Sequence, residues 1–235
     1  MSHADRPIRS NGFTLIELML AMTFISILLV AIAVTIIQIS NIYNHGITLK
    51  EVNQAGRSLA ADLQRSVRAS SQFDISNGGN HYIQQGDWGG RLCLGNYSYI
   101  WNYGKAINDN DPNESNLNVY TSDTGIAIRF VKVIDPSSSY CLNPAKKVEP
   151  SEAIDLVNVG DHNLAVHNFT VTSGENAVDT RTGQRLYSIK FVIGTNDTNA
   201  LDGGVCKSPG TPGADPSYCS VQEFNVVARA GNAVE

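Results

Sequence analysis

The chain lacks the short signatures of the common catalytic architectures. No Gly-x-Ser-x-Gly elbow, Walker loop, His-Glu-x-x-His or Cys-x-x-Cys occurs in its 235 residues. His162 and His167 stand without cysteines at metal-ligand spacing, which excludes a zinc site of the usual kind. Positive charge is in deficit: 17 Lys and Arg face 22 Asp and Glu. That balance is unsuited to a general nucleic-acid binder. No internal repeat is visible, which excludes solenoids and propellers. Neither enzymatic activity nor a nucleic-acid partner is expected.

Charge, glycine and proline are also missing from residues 18–37, and here the absence is itself a signal. A helix needs about 20 apolar residues to cross the hydrocarbon core, and each Leu, Ile, Phe or Val at its centre favours insertion by about 0.3–0.6 kcal/mol. Arg6 and Arg9 precede the run, so the positive-inside rule places the N-terminus in the cytoplasm and everything beyond about Ser40 outside. A secretory signal peptide is cut after its apolar region. Here the candidate cut, after Gly12, comes before it. One acid, Glu17, stands at the mouth of the run. A carboxylate in that place is costly and usually functional.

The segment Gly12-Phe13-Thr14-Leu15-Ile16-Glu17-Leu18-Met19 resembles the class III signal of type IV prepilins and pseudopilins. The resemblance implies a leader, 1–12, removed by a prepilin peptidase that also methylates the new amine on Phe13. It implies that Glu17 meets the Phe13 amine of a neighbouring subunit, so that a misplaced subunit leaves a charge unpaired in an apolar bundle. It further implies other pilins or pseudopilins and an inner-membrane assembly platform as partners. The mature chain would sit in the bacterial inner membrane, single-pass, before moving to a filament at the cell surface or in the periplasm. Many major pilins carry a proline in the outer half of this helix. Val34 stands there instead, so a partly melted helix is not carried over.

The helix is expected to continue beyond the membrane. Leu49, Val52, Gly56, Leu59, Leu63 and Val67 recur at three- and four-residue spacing, with Lys50, Glu51, Arg57, Asp62 and Arg65 on other faces. Gly46 offers a place to bend, and Gly56 a place for close approach to a sheet. Arg57, Arg65 and Arg68 read as a solvated face or as ion-pair partners of Asp62. Asn77-Gly78-Gly79 ends the helical pattern. Residues 49–69 look like the extended helix of J-type pseudopilins and W-type minor pilins. The chain then divides into the leader (1–12), the membrane or filament-core helix (13–40), its amphipathic continuation (41–76) and an exported β-rich domain (77–235).

Within that domain Tyr187, Ile189, Phe191 and Ile193 alternate with less apolar residues, as do Phe224, Val226 and Ala228. Residues 164–172 read as another strand. A further strand is expected to start at Ile126, Ile128 and Phe130 and end in Val131, Val133 and Ile134. Residues 108–116 and 197–218 read as loops. The fold expected is α+β, a long helix packed on an antiparallel sheet.

The cysteines number 4 and all follow the apolar run, which in an exported domain suggests disulfides. Cys206 and Cys219 enclose a Gly- and Pro-rich stretch. Pairing them closes a loop worth about 3 kcal/mol and leaves Cys93 with Cys141 as the default second pair, although four cysteines permit three pairings. A cysteine-closed loop near the C-terminus resembles the D-region of many pilins, which implies an outward face with receptor contacts. Tyr97, Tyr99, Trp101 and Tyr103 alternate, giving either a core ladder or an exposed adhesive patch. No cofactor is expected. Weak calcium candidates are Asp109, Asp111 and Asn113, and Asp197, Asn199 and Asp202.

The function expected is a structural subunit of a type IV filament: a minor pilin in pilus assembly or tip priming, serving adhesion, twitching motility or DNA uptake. The alternatives are a J-type minor pseudopilin of a type II secretion system and a pilin-anchored adhesin.

Overall fold

The apolar run and the amphipathic pattern that follows it merge into one helix, α1 (Leu15–Ala69). The structure, a computed structural model, describes residues 12–75, 79–108, 117–121, 126–157, 163–174 and 178–231. It divides into two units, Met1–Tyr43 and Asn44–Glu235. In the first, α1 is apolar on all sides and every described side chain is exposed. In the second, α1 is one-sided. Thr48, Val52, Ala55, Gly56, Leu59, Leu63, Ser66 and Val67 are buried, while Arg57, Arg65 and Arg68 face solvent. Leu49, expected in the stripe, is only half-buried, and Thr48 takes its place. Each fully buried leucine here stabilises the fold by about 1.5–3 kcal/mol.

α1 stops at Ala69, before the expected boundary at 76. Ser70 makes the stop. Its hydroxyl donates back to the Val67 carbonyl at 2.8 Å, and its own carbonyl accepts from the Gly231 N–H at 2.9 Å.

The fold is α+β as expected, but the strands form two main sheets where the sequence suggested one. The first is antiparallel and five-stranded, in the order β1 (Tyr82–Gln85), β2 (Gly89–Leu94), β3 (Tyr97–Asn102), β4 (Phe130–Ile134), β5 (Ala153–Asp155). A short helix, α2 (Gly104–Asn108), follows β3, and another, α3 (Ser139–Leu142), follows β4. The second sheet has three strands. β7 (Arg185–Thr195) lies between β6 (Leu164–Thr172) and β10 (Val221–Ala230). A parallel bridge from Tyr103 to Val166 joins the sheets where the β6 register slips between Val166 and Asn168.

Two loop and strand expectations need correction. The strand expected from Ile126 begins only at Phe130. Residues 126–129 are held by an isolated bridge, Val119 to Ala127, and Ile126 is exposed. The supposed loop 197–218 contains a hairpin, β8 (Leu201–Asp202) and β9 (Val205–Cys206). Its turn is Gly203-Gly204 with φ of 59° and 84°, the positive pair that the type I′ form of a two-residue hairpin turn requires.

One core draws on α1 and both sheets. Its aromatic rings run across the seam: Trp101 to Phe130 (5.6 Å between centroids), Trp101 to Phe169 (4.3 Å), Phe169 to Phe191 (6.1 Å) and Phe191 to Phe224 (5.4 Å). A second, smaller cluster covers the opposite face of the five-stranded sheet. There Cys93, Ile100, Val131 and Val133 meet Tyr140, Cys141 and Val148. The segment carrying α3 is strapped down by the Cys93–Cys141 disulfide and by Arg91. Arg91 is 4% exposed. It spends its donors on Asn118 Oδ1 and on the Tyr140, Asn143 and Lys146 carbonyls. Burial pushes its pKa down to about 10, so it remains charged.

Gly56 sets how closely α1 meets β10. A Cβ there would lie 2.1 Å from two ring carbons of Phe224. In a free helix Gly→Ala gains about 0.5–1 kcal/mol. Here Gly56→Ala is expected to destabilise by about 1–3 kcal/mol, because the ring must leave its stack on Phe191. In a Phe224→Ala background the same change is expected to stabilise. A denaturant double-mutant cycle checks this, and additive effects would refute the contact.

Candidate functional site

The N-terminal end of α1 carries the residues singled out from the sequence. Phe13 is 88% exposed, and nothing lies within 4 Å of a Cβ placed on Gly12. Thr14 caps the helix. Its hydroxyl accepts from the Glu17 N–H at 3.3 Å, while Glu17 Oε2 accepts from the Thr14 N–H and hydroxyl, both at 2.8 Å. This reciprocal pair is a capping box. Sequence reasoning overlooked it, although Thr-x-x-Glu before an apolar run is its signature. Glu17 thus has a task within its own chain. It holds the first turn, and its negative charge lies where the helix dipole favours it. No ion pair involves Glu17 among the described residues. Beyond it, α1 is long and apolar enough by length and composition to cross a membrane.

The aromatic series is placed differently from an adhesive patch. Tyr99 and Trp101 are fully buried and Tyr103 is 6% exposed; only Tyr97 reaches the surface. The exposed-patch reading therefore fails for three of the four, because their strand face turns onto α1 and β6. Tyr99 donates to Asp62 (2.7 Å) and lies 2.6 Å from the Ser66 hydroxyl. Burial pushes the Tyr99 pKa far up, and the Asp62 carboxylate adds to it. The ion-pair partner of Asp62 is Lys132, at 2.9 Å, and not an arginine of its own helix. Lys132 also stands 4.0 Å from the centre of the Tyr97 ring, a cation–π contact.

Cys93 is bonded to Cys141 and Cys206 to Cys219. The second bridge closes the β8–β9 region against β10. In that loop Asp215 accepts from the Ser217 and Tyr218 N–H groups, and the Tyr218 hydroxyl accepts from Asn44 of α1 at 2.8 Å. Of the calcium candidates, Asp109, Asp111 and Asn113 lie outside the described residues, as does His162. Asp197 turns Oδ1 onto the Asn199 N–H at 2.9 Å, closing an Asx turn. Asp202 belongs to β8. Among the described residues no group of three His, Cys, Asp or Glu is placed to hold a metal ion.

A cavity of about 650 Å³, which no sequence motif announces, opens at the seam of the two sheets. It lies where the β1–β2 turn, α2, the β6 register shift and the β8–β9 hairpin meet. Asn108, His167 and Asn196 are among its lining residues. His167 Nε2 is 3.1 Å from the Thr195 carbonyl, which can only accept, so Nε2 carries the proton and Nδ1 is left as an acceptor. Of Asn108, His167 and Asn196, only His167 carries a signal in the sequence, and only as a residue type; Tyr103, which also lines the cavity, is legible as part of the aromatic series.

No family model, no curated protein and no solved structure matches this chain.

Burial pushes the His167 pKa below its ordinary 6.5, against the raising effect of the Thr195 and Gly194 backbone. Folded protein thus binds fewer protons than unfolded protein between the two values. The contribution of neutral His167 to stability is complete above pH 6.5 and is lost as pH falls through the lowered folded value. His167→Gln is expected to flatten the fall of Tm as pH drops below 6.5. An unchanged slope would show that His167 does not titrate between the folded and unfolded states.

Proposed function

We propose that this chain is a structural subunit of a type IV filament, a minor pilin that acts in starting or capping pilus assembly. The observation that carries the reading is the prepilin-like segment Gly12-Phe13-Thr14-Leu15-Ile16-Glu17 leading into a helix whose described residues through Tyr43 are all exposed. Such a helix needs a cover, either lipid or other helices of its kind. A bilayer supplies the first before assembly and a filament core the second after it. The helical stripe from Val52 to Val67 anchors a folded domain to the same helix, as such a subunit requires.

In the proposed mechanism the leader is cut after Gly12 and the amine of Phe13 is methylated. The mature helix waits in the inner membrane. The capping box holds Glu17 Oε2, so the carboxylate is oriented before a partner arrives. The Phe13 amine of a neighbour then neutralises it. A subunit out of register leaves that carboxylate unpaired among apolar side chains, which costs several kcal/mol. The subunit carries out no chemistry of its own.

Deleting the gene is expected to remove surface pili counted by electron microscopy. Complementation with Glu17→Val is expected to yield protein that is inserted and cut after Gly12, as read by N-terminal mass, but at least roughly tenfold fewer pili. Normal piliation in the deletion strain would overturn the minor-pilin reading. If secretion of exoproteins failed in that strain instead, the pseudopilin reading would replace it.

A further inference from the structure

We propose that the cavity at the seam of the two sheets is a binding site for a neutral carbohydrate. Its volume, about 650 Å³, falls in the range of small-molecule sites. Asn108, His167 and Asn196 supply fixed polar groups. Asn108 Nδ2 donates to Asn196 Oδ1 at 2.6 Å, and Asn196 Nδ2 donates back to Asn108 Oδ1 at 3.3 Å. This reciprocal pair orients both amides and leaves each with one N–H and a carbonyl lone pair to offer. His167 adds the acceptor Nδ1. The three come together because Gly104 has no side chain: a Cβ there would lie 2.6 Å from Asn196 Oδ1 and 2.9 Å from His167 Cε1.

The polar groups select the ligand class. A sugar hydroxyl is at once a donor and an acceptor. It matches a surface that offers amide N–H groups, amide oxygens and an imidazole nitrogen. Gln84 extends that surface, and Leu201 offers an apolar contact for ring C–H groups. Asp87 and Lys105 bring one charge of each sign, so neither an anion nor a cation finds a matched site. Most of the exposed lining is apolar, which suits the C–H faces of a sugar ring, while a wholly apolar ligand would leave the fixed amides without partners. The site borders both places where the sequence suggested adhesion, through Tyr103 at the end of the aromatic series and through the β8–β9 hairpin that leads into the cysteine loop, but the fixed amides and His167 belong to neither. It stands whether or not the chain assembles into a filament.

The test uses the full chain in dodecylphosphocholine micelles, which carry no sugar. Saturation-transfer NMR would be recorded against glucose, galactose, N-acetylglucosamine, N-acetylgalactosamine and their short oligosaccharides. At least one is expected to bind. Asn168→Trp and Thr198→Trp place bulk at the exposed rim, and Asn108→Leu removes one of the fixed amides. Each variant that keeps the wild-type melting curve is expected to bind at least roughly tenfold more weakly. Tyr97→Ala is expected to leave binding unchanged, and inorganic phosphate is expected not to compete. Absence of any saccharide signal with wild-type protein would overturn the proposal. So would binding that survives the rim variants, depends on Tyr97 or yields to phosphate.

Discussion

The apolar stripe of α1 must be kept from water, and the Asn44–Glu235 unit is organised by that need. Neither sheet does it alone. The five-stranded sheet contributes Tyr99, Trp101 and Phe130, and the three-stranded sheet contributes Tyr187, Ile189, Phe191, Val226 and Ala228 to the same cluster. β6, the edge strand of the three-stranded sheet, lies at the seam. Its register shift after Val166 lets Val166 bridge to Tyr103 while Phe169 touches both Trp101 and Phe191. The glycine at position 56 then brings β10 to the helix closely enough for Phe224 to finish the row. Dispersion contacts of this kind are individually small and add up only where packing is dense.

Polar groups inside this arrangement decide which packing is chosen. Asp62, Lys132, Tyr99 and Ser66 form one network between α1 and the five-stranded sheet. An unpaired carboxylate there would be costly, so the network penalises any helix register that separates Asp62 from Lys132. Asn102 plays a similar part at the end of β3. Its amide donates to the Asn118 and Ile128 carbonyls, both at 2.7 Å, and its oxygen accepts the Asn118 N–H at 2.9 Å. Through it, residues that form no regular strand with β4 are still held in place.

Glu17 shows how one residue can answer two physical demands. Within the chain it closes the first turn of α1 with Thr14. In the proposed filament the same carboxylate is the register mark between subunits. The two uses are compatible because Thr14 engages a single carboxylate oxygen, Oε2. The capping role is legible as Thr-x-x-Glu, whereas the cost of an acid beside an apolar run points to an external partner. The asparagine pair at the sheet seam was not legible at all. Asn108 and Asn196 are far apart in the chain, and no spacing rule connects them.

Periodicity alone determined the elements whose signal is local. An apolar run at residues 18–37, a three-four stripe from Val52 to Val67, and strict alternation in β7 and β10 each follow from side-chain geometry within a few residues. Only the tertiary structure decided which segments meet. It split the strands into two sheets, turned Tyr99, Trp101 and Tyr103 inward, and gave Asp62 a lysine in place of an arginine. The reason is that these are contacts between distant parts of the chain. Their free energy depends on burial and pairing partners that no local pattern encodes.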